Sequence, residues 1–261
     1  MADVVCAWGL SAVEAWRDRA SALVIVDTLT FSTTVSVAAD RGVRVIPYGW
    51  GEDFWAAAAA KKADAQLAGP RGGDTPNLSP GSVAAMTSGS RLLLPSRNGG
   101  ALSVAAGMGS AAVFCGSLRN VSLVAQAASE AAGGGTIAII AAGEIVPDAG
   151  FRPAIEDWFG AGAIIEILHA EGREEDAKAQ LARLAYEAAA NQLEAVMRDS
   201  LSGREVTERG FEGDVDFALQ VDQGLTAPRL VDGVFEPGVI ARAPVARRNP
   251  TVADAGFTLA Q

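Results

Sequence analysis

The chain has 261 residues, with 31 acidic against 21 basic side chains and a formal net charge of −10. That length can bury a sizeable core, as one large domain or two intimate lobes, and the acidic balance argues against a nucleic-acid or membrane-surface binder, since both favour a basic face. A single histidine, His169, excludes multi-histidine metal sites, and two distant cysteines, Cys6 and Cys115, argue against a disulfide framework or a thiolate zinc site. Acid oxygens remain as the available metal ligands, and they suit Mg2+ best. No apolar run approaches the roughly 20 residues that span a bilayer, and no basic segment precedes an apolar signal core. The expectation is a cytoplasmic protein, with a homo-oligomer compatible with the composition.

The first strong signal is Ala22-Leu-Val-Ile-Val26, a continuous apolar run of the kind that forms a strand covered on both faces. Asp27 falls at its carboxyl end, where ligands bind in open α/β sheets. Ser32, Thr33 and Thr34 follow at the start of a helix predicted from about Ser32 to Asp40, where free backbone N–H groups and hydroxyls would meet an anion. A strand over Val43–Tyr48 comes next, then an alanine-rich helix from roughly Glu52 to Leu67, stopped by Gly69 and Pro70.

Residues Gly69–Gly81 hold too many glycines and prolines for regular structure and are predicted to form a long surface loop. Arg71 in that loop is either an exposed arginine or a fork for a phosphate, carboxylate or sulfonate. Three later apolar runs, ending in Ser96-Arg-Asn-Gly-Gly100, Gly116-Ser-Leu-Arg-Asn120 and Gly143-Glu144, repeat the pattern of strand into ligand-facing turn. Gly99, Gly100, Gly116 and Gly143 permit close backbone approach, while Asn98 and Ser117 supply polar side chains. One such turn would be routine, but four point to a shared pocket. Cys115, at a strand end, is predicted to be a core residue.

A second loop through Pro147, Gly150 and Pro153 leads to a helix whose first turn carries Glu156 and Asp157, where negative charge complements the helix dipole. Gly160 and Gly162 lower helix stability and imply close packing or a ligand near the backbone. His169 falls at the end of that helix, as a helix-end or core residue rather than a catalyst. From Glu171 to Asp199 the pattern is helical, charged and mainly solvated. A short helix over Gly213–Val221 and a hairpin around Asp232-Gly233 complete the series. Strands alternating with helices predict an α/β fold, a layered α/β/α arrangement with a predominantly parallel or mixed sheet. Residues 1–241 are expected to form the folded unit and 242–261 a C-terminal tail.

The ordered motifs resemble the 2-phosphosulfolactate phosphatase (ComB) family over approximately residues 20–235. Asp27-Thr-Leu-Thr-Phe-Ser-Thr-Thr34 is similar to that family's Asp-Val-Leu-Arg-Ala-Thr/Ser-Thr-Thr type motif. Gly69-Pro-Arg-Gly72, Asn77-Leu-Ser-Pro80 and Arg97-Asn-Gly99 resemble its Gly-Glu-Arg-Gly, Asn-Ser-Pro and Thr-Asn-Gly elements. Gly116-Ser-Leu-Arg-Asn120 is intact, and Ile155-Glu-Asp157 with Ala161-Gly162 matches a Leu-Glu-Asp plus Ala-Gly pattern. Thr30 stands at the family's arginine position, Pro70 at its glutamate position, and the loop before Ser79-Pro80 is shorter.

The resemblance implies magnesium-dependent hydrolysis of a small acidic phosphate monoester, 2-phosphosulfolactate to sulfolactate and phosphate. It implies Asp27, Glu156 and Asp157 as metal ligands, and Asp27, Arg71 and Glu156 as the catalytic set. Ser32, Thr33, Thr34, Asn98, Gly99, Gly116 and Ser117, with Arg71, would bind substrate oxygens. Asp27 lacks the second acid of an Asp-x-Asp nucleophile, because Thr28 and Leu29 follow it, so metal-assisted water attack is preferred to covalent attack by Asp27. Two alternatives stay open: a divergent phosphatase for another small acid or sugar phosphate, and a non-catalytic anion-binding protein.

Overall fold

In a computed structural model, which describes residues 3–49 and 53–240, the apolar runs form five-residue strands, joined by one two-residue edge strand. These are β1 (Val4–Trp8), β2 (Ala22–Val26), β3 (Arg44–Tyr48), β4 (Gln66–Leu67), β5 (Arg91–Pro95), β6 (Ala112–Gly116) and β7 (Ile137–Ala141). A small hairpin, β8 (Glu144–Val146) and β9 (Gly150–Arg152), follows, and a larger one, β10 (Thr226–Val231) and β11 (Val234–Ile240), comes late. The helices are α1 (Gly9–Trp16), α2 (Phe31–Asp40), α3 (Asp53–Lys62), α4 (Pro80–Val83), α5 (Gly99–Ala106), α6 (Val121–Ala132) and α7 (Ile155–Ala170). Four more, α8 (Ala177–Ala189), α9 (Leu193–Asp199), α10 (Leu201–Glu208) and α11 (Glu212–Ala218), complete the helical region.

The main sheet has the order β1-β7-β2-β6-β10-β11-β3-β5-β4. Five of its eight neighbouring pairs are parallel and three are antiparallel, so the sheet is mixed and mostly parallel. Side chains alternate across it with period two. Val24, Val26 and Ile139 face one layer with Val124 of α6 and Ile164 of α7; Leu23, Ile25 and Ile140 face the other with Val13 of α1 and Leu102 of α5. This is the expected α/β/α layering.

The antiparallel pairs all belong to the β10–β11 hairpin, which separates two parallel blocks. Two reversals precede β11 and a third precedes β3, so β3, β5 and β4 run opposite to β2 and β6. Strand twist of about 20–25° per step and the irregular register at Ala227 curl the sheet about α2. Phe31 and Val35 of α2 pack with Leu92 and Leu94 of the second block and with Phe235 of the hairpin, and the Phe31 and Phe235 ring centroids lie 6.3 Å apart. As a result the carboxyl ends of β2 and β5 meet. Asp40 at the end of α2 secures the hairpin: it accepts bonds from Leu225 N (2.8 Å) and Thr226 Oγ1 (2.8 Å) and pairs with Arg119 (2.7 Å).

Several expectations are corrected. The helix predicted to reach Leu67 ends at Lys62, because Asp64 adopts a left-handed φ of 49° and Gln66–Leu67 adds an edge strand to β5; Glu52, its predicted start, lies outside the described residues. The charged stretch from Glu171 to Asp199 is not one helix. Gly172 turns at φ 89°, and Asp176 then caps α8 by accepting from Ala179 N at 2.7 Å. The loop after Gly143 contains the β8–β9 hairpin, and β1 with α1 precedes the first predicted strand. The segment expected to be a tail, 242–261, lies outside the described residues. Among the described residues no helix is long and apolar enough to cross a membrane.

Candidate active site

Asp27 leaves the end of β2 and is 5% exposed. Its Oδ2 accepts from Gly99 N at 2.7 Å and its Oδ1 from Phe31 N at 3.4 Å. The first bond crosses from β2 to the turn after β5. Gly99 has to be glycine there: a Cβ would run into the Phe31 ring and come within 2.7 Å of Asp27 Oδ2. Burial pushes the Asp27 pKa up to about 7; the Gly99 N–H opposes that rise, and Glu144 and Glu156 add to it.

Glu156 and Asp157 open α7 and are 2% and 3% exposed. Asp157 joins two strand ends, accepting from Thr28 N at 2.7 Å and from Gly143 N at 2.9 Å. Its pKa is raised well above the carboxylate range, first by burial and then by Asp27 and Glu156. Glu156 is also raised by burial, while hydrogen bonds from Ser202 and Ser200 and the charge of Arg152 pull the other way. Glu156 thus disfavours the charged forms of both Asp27 and Asp157, and Asp27 disfavours that of Asp157, which links the three electrostatically. Their position follows from chain direction, since β2 and β7 are parallel neighbours and α7 begins beside their carboxyl ends.

Arg71 approaches from the Gly/Pro loop. Its Nη1 pairs with Asp214 Oδ2 of α11 at 2.8 Å, its Nη2 donates to Thr30 Oγ1, and its guanidinium lies 5.5 Å from the Phe211 ring centroid. It is within electrostatic reach of Asp27 and Glu144, yet among the described residues its ion pair is with Asp214. The loop is fastened to α2 as well, because Thr30 Oγ1 and Thr34 Oγ1 both donate to Leu78 O (2.9 and 2.8 Å).

The hydroxyls after Asp27 face inward. Ser32 Oγ accepts from Asp27 N (2.9 Å) and donates to Ile25 O (3.3 Å), and Thr33 Oγ1 donates to Thr28 O (2.8 Å). With Thr34 they are fully buried; Ser32 and Thr33 hold the strand-to-helix turn that aims Asp27, while Thr34 holds the loop through Leu78. Ser117 Oγ likewise accepts from Arg119 N at 3.2 Å and, with Asn120, forms a capping box. Gly116 lets β6 pack under α7, since a Cβ would lie 2.7 Å from both Ile164 Cδ1 and Val24 Cγ1. Gly160 and Gly162 serve packing too: a Cβ on Gly160 would meet Thr28 Oγ1 at 2.7 Å, and one on Gly162 would strike Ala182 O of α8. Cys115 is buried beside Ser32, and His169 sits at the end of α7, 3.6 Å from Glu175.

The structure therefore brings together Asp27, Glu156, Asp157, Gly99, Asn98 and Arg71. Asn98 Oδ1 accepts from Ile145 N at 3.0 Å and so ties the β8–β9 hairpin to the site. The other side of that hairpin is held by Arg152, bidentate to Glu205 at 2.9 and 3.0 Å. A shallow cleft of about 480 Å³, lined by Gly49, Arg97, Ala101, Ile145 and Pro147, adjoins this hairpin. Sequence reasoning missed Glu144, Arg152, Ser200, Ser202, Glu205 and Asp214. Glu144 lies in a predicted turn and Arg152 just before α7, but neither has a role in the sequence reading, and Ser200, Ser202, Glu205 and Asp214 come from the distant helices α9 to α11 or the turn between them.

Among the described residues no three His, Cys, Asp or Glu side chains form a ready-made metal cage. The carboxyl set still suits a hard cation of the magnesium type, which takes one or two carboxylates and completes its shell with water and phosphate oxygens. Each oxygen of Asp27 and Asp157 accepts one backbone bond and keeps a second lone pair. The nearby cations do not balance the acids, because Arg71 is paired with Asp214 and Arg152 with Glu205.

Comparison with known proteins gives an independent reading. Residues 12–233 match the family described as 2-phosphosulpholactate phosphatase. Two relatives, from Thermotoga petrophila and Thermotoga maritima, each carry the name "Probable 2-phosphosulfolactate phosphatase" and are 33% identical over 84 residues. Those matches cover 32% of this chain, and the chain spans about a third (36%) of the length of either relative.

Proposed function

Because the chain belongs to the 2-phosphosulpholactate phosphatase family, we propose that it hydrolyses a small acidic phosphate monoester, 2-phosphosulfolactate to sulfolactate and phosphate, with Mg2+ as cofactor. The observation that carries this reading is the buried trio Asp27, Glu156 and Asp157: burial raises all three, Glu156 adds to the rise of Asp27 and Asp157, and among the described residues the cations Arg71 and Arg152 are paired with other acids. Such a cluster is costly in the folded state unless a cation offsets it. A dianionic ester would be repelled from the same place without that cation.

Asp27 and Asp157 would hold the magnesium through the lone pairs left over from their backbone bonds. When bound, the ion supplies charge neutralisation at the phosphate and an acidified water. The N–H groups of Gly99, Phe31, Thr28 and Gly143 fix both carboxylates before substrate arrives, so little reorganisation is needed during reaction. Glu156 is held by the Ser202 and Ser200 hydroxyls and its own backbone N–H, and its raised pKa suits it to take the proton of the attacking water at its carboxylate. Arg71 presents its guanidinium to the ester's negative charge. Thr28 and Leu29 follow Asp27, so the second acid of an Asp-x-Asp nucleophile is missing, which supports water attack over covalent attack by Asp27.

Phosphate release from a panel of small esters, with magnesium and with EDTA, tests this reading. Magnesium-dependent release with the highest kcat/KM on 2-phosphosulfolactate is expected. Higher kcat/KM on an ester without a sulfonate would overturn the substrate assignment. Thermal stabilisation by the panel without any release would replace the enzyme with an anion-binding protein.

A further inference from the structure

Arg71 lies in a loop rich in glycine and proline, which by itself leaves a long side chain free to reorient. The structure restrains it from three sides: Asp214 Oδ2 at 2.8 Å, Thr30 Oγ1, and the Phe211 ring. Asp214 is 5% exposed, and the same oxygen accepts from Ser79 Oγ at 2.9 Å. One buried carboxylate on α11 thus fastens both ends of the loop. Asp27 and Glu144 also attract Arg71, less strongly than Asp214, while Arg209 repels it. Direct contact with Asp27 would neutralise the carboxylate assigned to the metal and would occupy the fork needed for substrate. The two bonds to Asp214 and Thr30 use two of the five guanidinium N–H donors, leaving others for a planar or tetrahedral acid group.

We propose that Asp214 is a positioning residue, which holds Arg71 away from Asp27 and aims its guanidinium at the second acidic group of the ester, a carboxylate or sulfonate. In this arrangement the phosphate goes to the Asp27 side and the other acid to Arg71. Asp214 neutralises the formal charge of Arg71, so recognition there depends on the direction of its N–H donors rather than on net charge. The inference rests on the phosphatase reading for the phosphate half of the substrate, but not for the acid half.

The experiment compares wild type, Asp214→Ala, Asp214→Asn, Arg71→Ala, the Arg71→Ala/Asp214→Ala double variant and Ser79→Ala. Steady-state kinetics use 2-phosphosulfolactate and p-nitrophenyl phosphate, which lacks the second acid. Calorimetry measures sulfolactate, the proposed product, which carries the acid groups without the phosphate. Asp214→Ala and Arg71→Ala are each expected to raise KM for 2-phosphosulfolactate at least tenfold more than for p-nitrophenyl phosphate, with the effect larger in KM than in kcat. The double variant should be no worse than Arg71→Ala alone, and Asp214→Asn, which keeps an acceptor, should recover part of the loss. Sulfolactate binding should weaken at least tenfold in Asp214→Ala.

Equal effects on both esters, additive losses in the double variant, or unchanged sulfolactate binding in Asp214→Ala would each overturn the proposal. The same substrate-selective loss in Ser79→Ala would overturn it too, because that variant disturbs the loop without touching Arg71. If wild type releases no phosphate, the phosphatase reading fails while sulfolactate binding still decides the role of Asp214. Wild type that does not bind sulfolactate overturns the role assigned to Arg71 and Asp214.

Discussion

Two groups of buried carboxyls flank the start of α2, and they differ in what meets their charge. Asp214 has a guanidinium at 2.8 Å and a hydroxyl at 2.9 Å, which counter the effect of burial. Asp27, Glu156 and Asp157 are as deeply buried but are met by backbone N–H groups and serine hydroxyls, with other carboxyls as neighbours. Burial still raises the Asp214 pKa, but the first arrangement supplies its own cation and can hold a structure in place. The second needs a cation from outside. Burial alone does not mark a site; a buried charge that the fold leaves unbalanced does.

The sharpest way to break this comparison is Asp27→Asn. It keeps an acceptor for Gly99 N while removing one charge, and phosphate release should fall by at least ~100-fold, the scale of losing one preorganised charged group. The same change should relieve strain in the metal-free fold. With a folded pKa of about 7, above the unfolded value of about 3.9, Asp27 contributes stability that is fully present below the unfolded pKa and lost as pH rises through about 7. In EDTA the wild type should therefore have a lower Tm at pH 8 than at pH 5, and Asp27→Asn should narrow that gap. A wild-type Tm that is higher at pH 8, with no change in the variant, would show that the acids are already balanced.

Gly99→Ala should come next. Its Cβ would press on the Phe31 ring and Asp27 Oδ2, and overpacking of this kind costs about 1–3 kcal/mol. Denaturant unfolding should show that loss, together with reduced activity as Asp27 is displaced. The smallest effect belongs to Glu205→Gln, which weakens the partly exposed pair that holds the β8–β9 hairpin. A change of under ~1 kcal/mol is expected for such a pair, so equilibrium unfolding should barely register it. A larger loss would place that pair among the structural ones.

Much of the fold was legible because burial imposes simple patterns. The run at 22–26 read as a strand covered on both faces and those at 112–116 and 137–141 as strands leading into turns, and they are the adjacent strands β2, β6 and β7. The hairpin at Asp232-Gly233 was visible from its turn residues, and both take positive φ (49° and 78°). The end of α3 at Lys62 was not visible, since Gln66–Leu67 becomes a strand through pairing with β5 rather than through its own propensity. In the candidate site, Asp27 could be singled out from its strand-end position, whereas Glu156 and Asp157 read from the chain alone as helix-start residues and entered the site only through the family resemblance. The inward turn of Ser32, Thr33, Thr34 and Ser117 was not legible, because a hydroxyl at a helix start serves an anion and a backbone carbonyl equally well in sequence.

The sequence by itself determined the α/β class, the acids at chain turns and the loop that carries Arg71, because periodicity and turn chemistry are local. Only the tertiary structure decided which charges stand alone. The reversal at the β10–β11 hairpin brings the ends of β2 and β5 together, and α11 supplies Asp214 to Arg71 across 143 residues of sequence. Charge balance depends on distance and burial in three dimensions, and neither is encoded in the spacing of residues along the chain.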